Sequence, residues 1–209
     1  PAVHEHQELQ EAHNLLGAGL GAELGLAVSS VAPDLTAVRM SAMPRNGSRN
    51  QVFGFTAAHR HALPALEAWF DEAGCAVHLR LGADLVNDGE ADALVERGYT
   101  VSEVEAWMVA DLAHLRIEAS EHRIEPVADE AGNEAFARAI CAGWEVDAPA
   151  VQRVVRGAMA PWPQPETWHR FVAWVDDEPA AEALLVVRGA CAYLAEAATD
   201  PRYRRRGLQ

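Results

Sequence analysis

Tyr193-Leu-Ala-Glu-Ala-Ala-Thr-Asp-Pro-Arg-Tyr-Arg-Arg-Arg-Gly-Leu-Gln209 closes the chain, and its reading decides the fold. An apolar run of small residues stops at Asp200-Pro201, and an arginine-rich stretch then leads to Gly207. The run has the composition of a strand, and the stop has the chemistry of a turn. A loop of this kind after a strand suits a phosphate or pyrophosphate, which needs converging N–H donors and positive potential. Glycine lets the backbone approach closely because it has no Cβ. A helix N-terminus after the loop would add its dipole, and Arg204, Arg205 and Arg206 add charge. Three arginines alone are also what a solvated basic turn looks like, so the segments leading into them matter more.

Working backwards, Arg188 and Gly189 turn the chain into a predicted strand over 192–199. Strands over 180–187 and 168–175 flank a turn at 176–179, and Pro161, Pro163 and Pro165 mark a loop before them. Helices are predicted over 130–141 and 148–159, the second with Val151, Val154 and Val155 on its apolar side. A strand over 122–127 opens this unit. The order is two helices followed by an antiparallel meander of three strands.

In that context the closing stretch resembles motif A of the GNAT superfamily of acyl-CoA N-acyltransferases, written Arg/Gln-x-x-Gly-x-Gly/Ala. Here it reads Arg204-Arg205-Arg206-Gly207-Leu208-Gln209, with Gln in the sixth position where the family has Gly or Ala. The resemblance covers residues 122–209 and stops where the pyrophosphate-binding helix is expected. It implies that the backbone of Ala197, Ala198 and Thr199 pairs with a pantetheine arm like an added strand. It implies equally that Arg204, Arg205, Arg206, Gly207 and Gln209 hold the pyrophosphate of acetyl-CoA, the co-substrate. Glu196 is the acid nearest the expected thioester, with Glu145 and Asp147 as rivals on the helix–helix connection. Many members use as general acid a tyrosine on a later helix, which would fall beyond this stretch.

The first half repeats the theme. Strand patterns at 37–42, 51–56, 77–81 and 103–112 alternate with helix patterns at 61–72 and 84–96, and a helix over 5–26 precedes them. Gly17, Gly19 and Gly21 weaken that first helix. Strand, strand, helix, strand, helix, strand is an α/β layer pattern. It resembles the central and C-terminal parts of a GNAT fold, with Ala91-Asp-Ala-Leu-Val-Glu-Arg-Gly-Tyr99 like its late helix. After the strand at 52–55 comes Thr56-Ala-Ala-His-Arg-His-Ala62, which lacks the glycines of the motif. The expected class is therefore α/β, an α+β mixed sheet arranged as tandem GNAT-like domains. Residues 1–115 would be a degenerate, non-catalytic repeat, and 122–209 the incomplete N-terminal half of the acetyltransferase domain. An unrelated small α/β cap is the alternative for the first half.

The bulk numbers narrow the function. The 209 residues carry a formal net charge of −14. That argues against nucleic acid or an anionic membrane as partner of the whole molecule. Half the residues are hydrophobic, enough for a substantial core. Cys75, Cys141 and Cys191 are too few and too spread for a disulfide framework, so a reducing cytoplasm is the expected location and buried packing their expected role. His4, His6, His13, His59 and His61 lack companion ligands, and no metal is expected. No Gly-x-Ser-x-Gly marks a serine nucleophile. Trp162 could wall a substrate site, whereas Trp168 and Trp174 read as packing. The function this implies is acetyl transfer to an amine acceptor, small molecule or peptide, by direct attack in a ternary complex. A non-catalytic acyl-CoA-binding or regulatory module is the alternative. With the later segment missing, the 209-residue chain is expected to be a poor enzyme, and the strand at 192–199 an apolar edge through which a homodimer could form.

Overall fold

The glycines at 17, 19 and 21 decide the first element. The computed structural model describes residues 2–82, 85–86, 89–104, 108–114, 116, 120–159 and 162–208. The helix expected over 5–26 is two, α1 (Ala2–Gly17) and the single turn α2 (Gly21–Leu24). Gly19 sits at φ +75° and Gly25 at +57°, conformations that glycine adopts without strain. Leu26 then begins a strand that the sequence pattern did not reveal.

Two four-stranded sheets follow. The first runs β1 (Leu26–Ala32), β2 (Leu35–Met40), β3 (Gln51–Phe53) and β4 (His78–Leu79), antiparallel except where β3 meets β4 in parallel. A 3₁₀ turn, Ala57–Ala62, and α3 (Leu63–Glu72) connect β3 to β4, and α4 (Glu90–Glu96) comes after. Leu66 and Phe70 of α3 pack with Leu35, Ala37 and Val52, all at most 1 % exposed. The strand expected over 103–112 is not found. Its described residues form no strand, residues 105–107 lie outside the described ones, and Val104, Met108 and Val109 are 87 %, 97 % and 95 % exposed. An alternating pattern needs an edge to join, and β4, the last strand of this sheet, offers two residues.

The second half follows its sequence more closely. Asp129 caps α5 (Glu130–Gly143), accepting from the Gly132 amide at 2.8 Å. Then come α6 (Pro149–Met159), which buries Val155, Ala158 and Met159, and the strands β6 (Trp168–Val175), β7 (Glu178–Arg188) and β8 (Cys191–Thr199). With β5 (Arg123–Pro126) they form one antiparallel sheet in the order β5-β6-β7-β8. The hairpins are tight for local reasons. Asp176 and Asp177 both take positive φ, the geometry of a type I′ turn, and Gly189 at φ +61° starts the next. Val151, expected on the apolar side of α6, is 40 % exposed, because the packed face turns toward Val155.

The two halves share a core. Leu15, Leu24, Val38, Met40 and Phe53 belong to the same buried cluster as Phe136, Ile140, Trp168, Leu184 and Val186. α1 makes the join. Its Asn14 side chain donates to the Ala158 carbonyl of α6 at 2.9 Å, and a Cβ on Gly157 would meet Leu20 at 2.7 Å. No described helix is long and apolar enough to cross a membrane.

The approach that positions the site is closest at Gly143. A Cβ there would lie 2.6 Å from the Ala198 Cβ and 3.0 Å from the Thr199 nitrogen. Alanine normally favours a helix over glycine by about 1 kcal/mol. Gly143→Ala should nevertheless destabilise the protein by about 1–3 kcal/mol, because one of the two obstructing atoms is backbone. Urea denaturation measures this, and a variant as stable as the wild type would mean that α5 and β8 are not packed this closely.

Candidate functional site

β8 is an edge strand. Its last residues, Ala198 and Thr199, are buried under the end of α5, and the Asp200 amide still pairs with the Ala180 carbonyl at 2.9 Å. Asp200 then stops the strand. Its side chain accepts from the Arg202 amide and opens the 3₁₀ turn Pro201–Tyr203. The same carboxylate receives the Arg202 guanidinium at 2.7 Å, and this hydrogen bond holds its pKa below the ordinary carboxylate value. After the turn, Arg205 at φ +65° and Gly207 at φ +75° bend the loop. The Arg206 carbonyl is held 2.7 Å from the His122 Nε2.

The three loop arginines divide into two kinds. Arg204 turns inward. Its Nε donates to the Thr199 carbonyl at 3.0 Å and its Nη2 to the Gly143 carbonyl at 2.8 Å, with Glu145 at 3.3 Å. It is a brace between strand end and helix end. Arg205 and Arg206 make no ion pair among the described residues, and the Arg206 guanidinium lies 5.4 Å from the Tyr203 ring centroid, with Arg202 at 5.1 Å. Their charge is available to an anion. Gly207 has open space where a Cβ would stand, so the loop needs this glycine for its backbone angle. Gln209 lies outside the described residues.

Beside this loop a cleft of about 480 Å³ is lined by Arg138, Cys141, Glu145, Asp147, Arg156 and Asp200, among others. It contains both rivals to Glu196. Glu145 sits at φ +56° and pairs with Arg204, and Asp147 is exposed. Glu196 is elsewhere. It faces α1, where burial first and the Glu11 carboxylate second push its pKa up to about 8, with Arg49 opposing. Ala197, Ala198 and Thr199 therefore lie beside the basic loop, and Glu196 lies under a helix.

Sequence reasoning missed Glu182. It is 4 % exposed, with burial and Glu196 pushing its pKa up to about 8 against the Ala198 amide. A lone acid inside Ala180-Ala-Glu-Ala-Leu-Leu185, at an inward position of the alternation, is the signal that could have found it. The buried pair of Arg170 and Asn133 was also missed. Cys75 and Cys141 are buried as expected, but Cys191 is exposed, because it begins an edge strand directly after a turn. Trp168 is core, and Trp162 is 41 % exposed. Among the described residues no group of three or more His, Cys, Asp or Glu could hold a metal.

Compared with known proteins, the chain matches no family model and no curated sequence.

The division of the arginines is measurable. Arg204→Ala should lower stability by about 1 kcal/mol, a modest figure because the side chain is half exposed. Arg205→Ala should leave stability within about 0.5 kcal/mol. Denaturant midpoints that rank the two variants the other way round would contradict the brace.

Proposed function

We propose that the end of β8 and the loop after it form the cofactor side of an N-acetyltransferase, which moves an acetyl group from acetyl-CoA to an amine. The observation that carries this reading is the junction itself. A free strand edge of small residues runs into a loop with two left-handed residues and two arginines outside any described ion pair. The strand edge suits the amides of a pantetheine arm, and the loop suits a pyrophosphate. GNAT-like architecture, with residues 1–115 as a degenerate repeat, is part of the same proposal.

In this reading the cleft at Glu145, Asp147 and Asp200 receives the amine, and its carboxylates favour a cation. The amine nitrogen attacks the thioester carbonyl. A C–N bond forms, the C–S bond breaks, and the proton lost by the nitrogen ends on the departing thiol. Placing the amine against the thioester supplies much of the rate, and deprotonation by Glu145 or Asp147 supplies more. Glu196 reaches the reacting atoms only if α1 moves.

A second reading has its own observation. Arg204 occupies the Thr199 carbonyl, and Glu196 is half-buried beside Glu11 of α1, so the same junction also suits a module that binds acyl-CoA without chemistry.

Titration calorimetry with acetyl-CoA tests the shared part. Gly207→Val should weaken binding about tenfold or more, because valine resists φ +75°. Equal affinity in that variant removes the loop from the cofactor site. Thiol release in the presence of amines then separates the readings. Binding with release supports the transferase, and binding without it supports the module.

A further inference from the structure

α1 presses acid onto acid. Its inward side carries Gln7, Glu8, Glu11 and Asn14, all buried, and it packs against β8 and β7. On the sheet opposite, Leu184 pairs with Glu196 and Glu182 pairs with Ala198, so the two glutamates are diagonal neighbours on one face. Glu11 acts on Glu196, and Glu196 on Glu182, across this interface. Arg49 stands at one end only, with its Nη1 2.6 Å from the Glu11 Oε2, while the Gln7 amide donates to the other Glu11 oxygen at 2.5 Å. Both Glu182 oxygens are buried with no hydrogen bond of ordinary geometry among the described residues, and the Ala198 amide is the least of the influences on the carboxyl.

The remaining charges do not neutralise this row. Arg80 is bound to Glu8 at 2.7 Å. Arg170 shares the sheet face, pairing across β6 and β7 with Leu184, but its guanidinium is held by Asn133 of α5 and lies between Phe136 and Trp168. Glu5 is itself pushed up by burial, with Arg80 opposing, and His6 is pushed down by burial and Arg188. Three carboxyls in a row with one guanidinium at the end cannot all be ionised in a buried seam.

We propose that this seam is a proton latch: α1 stays on the second sheet while the row of carboxyls is largely neutral, and ionisation of the row lifts α1 and uncovers β8 around Glu196. The latch follows from the fold alone and stands whether or not the protein transfers acetyl groups. Its sign follows from the raised carboxyls. Glu182 and Glu196 titrate near 8 when docked and at the ordinary 4.5 when exposed. The docked form therefore binds more protons between those values. Docking is strongest below about pH 4.5 and is lost as pH rises through about 8. Opening is read at α1 itself, whose side-chain hydrogen bond to α6 among the described residues is that of Asn14 to a backbone carbonyl.

Amide hydrogen exchange on the full chain reads this directly. The amides of residues 7–17 are followed at pH 6 and pH 9, corrected for the chemical pH dependence, with the α3 amides as internal reference. Wild type should lose protection in α1 at least about tenfold more than the Glu182→Gln/Glu196→Gln variant, which keeps neutral amides of the same shape, while α3 changes alike in both. Single Glu196→Gln, which removes the middle of the row, should show part of the same effect and replaces the double variant if that one folds poorly. Equal pH dependence of α1 in wild type and variants overturns the latch. So does wild-type protection falling in α1 and α3 together, since that is global unfolding.

Discussion

The contact of Gly143 with Ala198 and Thr199 is the constraint from which the candidate site follows. Because α5 ends without a side chain there, its terminal carbonyl comes within reach of the Arg204 guanidinium, which also holds the Thr199 carbonyl. Helix end, strand end and loop are thus tied at one guanidinium. A single planar cation suits this task because its several N–H donors leave in fixed directions. Glu145, thrown to positive φ just past the helix, completes the arrangement and opens the neighbouring cleft. If α5 stood farther from β8, the brace would have nothing to span, and the loop would start from a frayed strand.

Buried charge is the second organising feature, and it acts against stability. Burial makes a carboxyl costlier ionised than neutral, so Glu182 and the half-buried Glu196 shift toward the neutral form. Glu11 is pushed up as well by its burial, even though Arg49 is beside it. Replacing these acids by apolar residues of similar size would make a tighter interface between α1 and the sheet. Their presence gives a joint between the two halves whose strength depends on protons, which an apolar joint would lack.

The second half was legible because its signals are local. Asp129 as cap, the Asp-Asp and Gly189 turns and the apolar runs of β6 and β7 each fix structure within a few residues. The first half was less legible. Three glycines near one another read only as a weak helix, whereas they end it and release β1. The alternation at 103–112 looked like a strand, but strands form on edges, and sequence does not show whether an edge is there. The site divides in the same way. Ala197, Ala198 and Thr199 end a strand and Gly207 bends the loop after it, and a strand running into a glycine loop is a local feature. The surroundings of Arg204 and Glu196 were not legible, because Gly143 and Glu11 are far away in sequence.

The overall acidity does not decide what the loop binds. A net charge of −14 would repel a phosphate at long range, but exposed charges farther apart than about 8 Å are screened at physiological salt. Within that distance the balance is set by pairing. Asp200 is matched by Arg202, and Glu145 by Arg204, so neither carboxylate opposes an anion at the loop with its full charge. Arg205 and Arg206 are left as surplus cations on a backbone bent at Arg205 and Gly207. The cleft on the other side has the opposite surplus: Arg138 is matched by Glu178 and Arg156 by Glu134, which leaves Asp147. A positive loop and a negative cleft that meet at Asp200-Pro201 can hold an anionic and a cationic group side by side. On the function proposed, the loop would take the phosphates of the acyl donor and the cleft would gather the amine beside them.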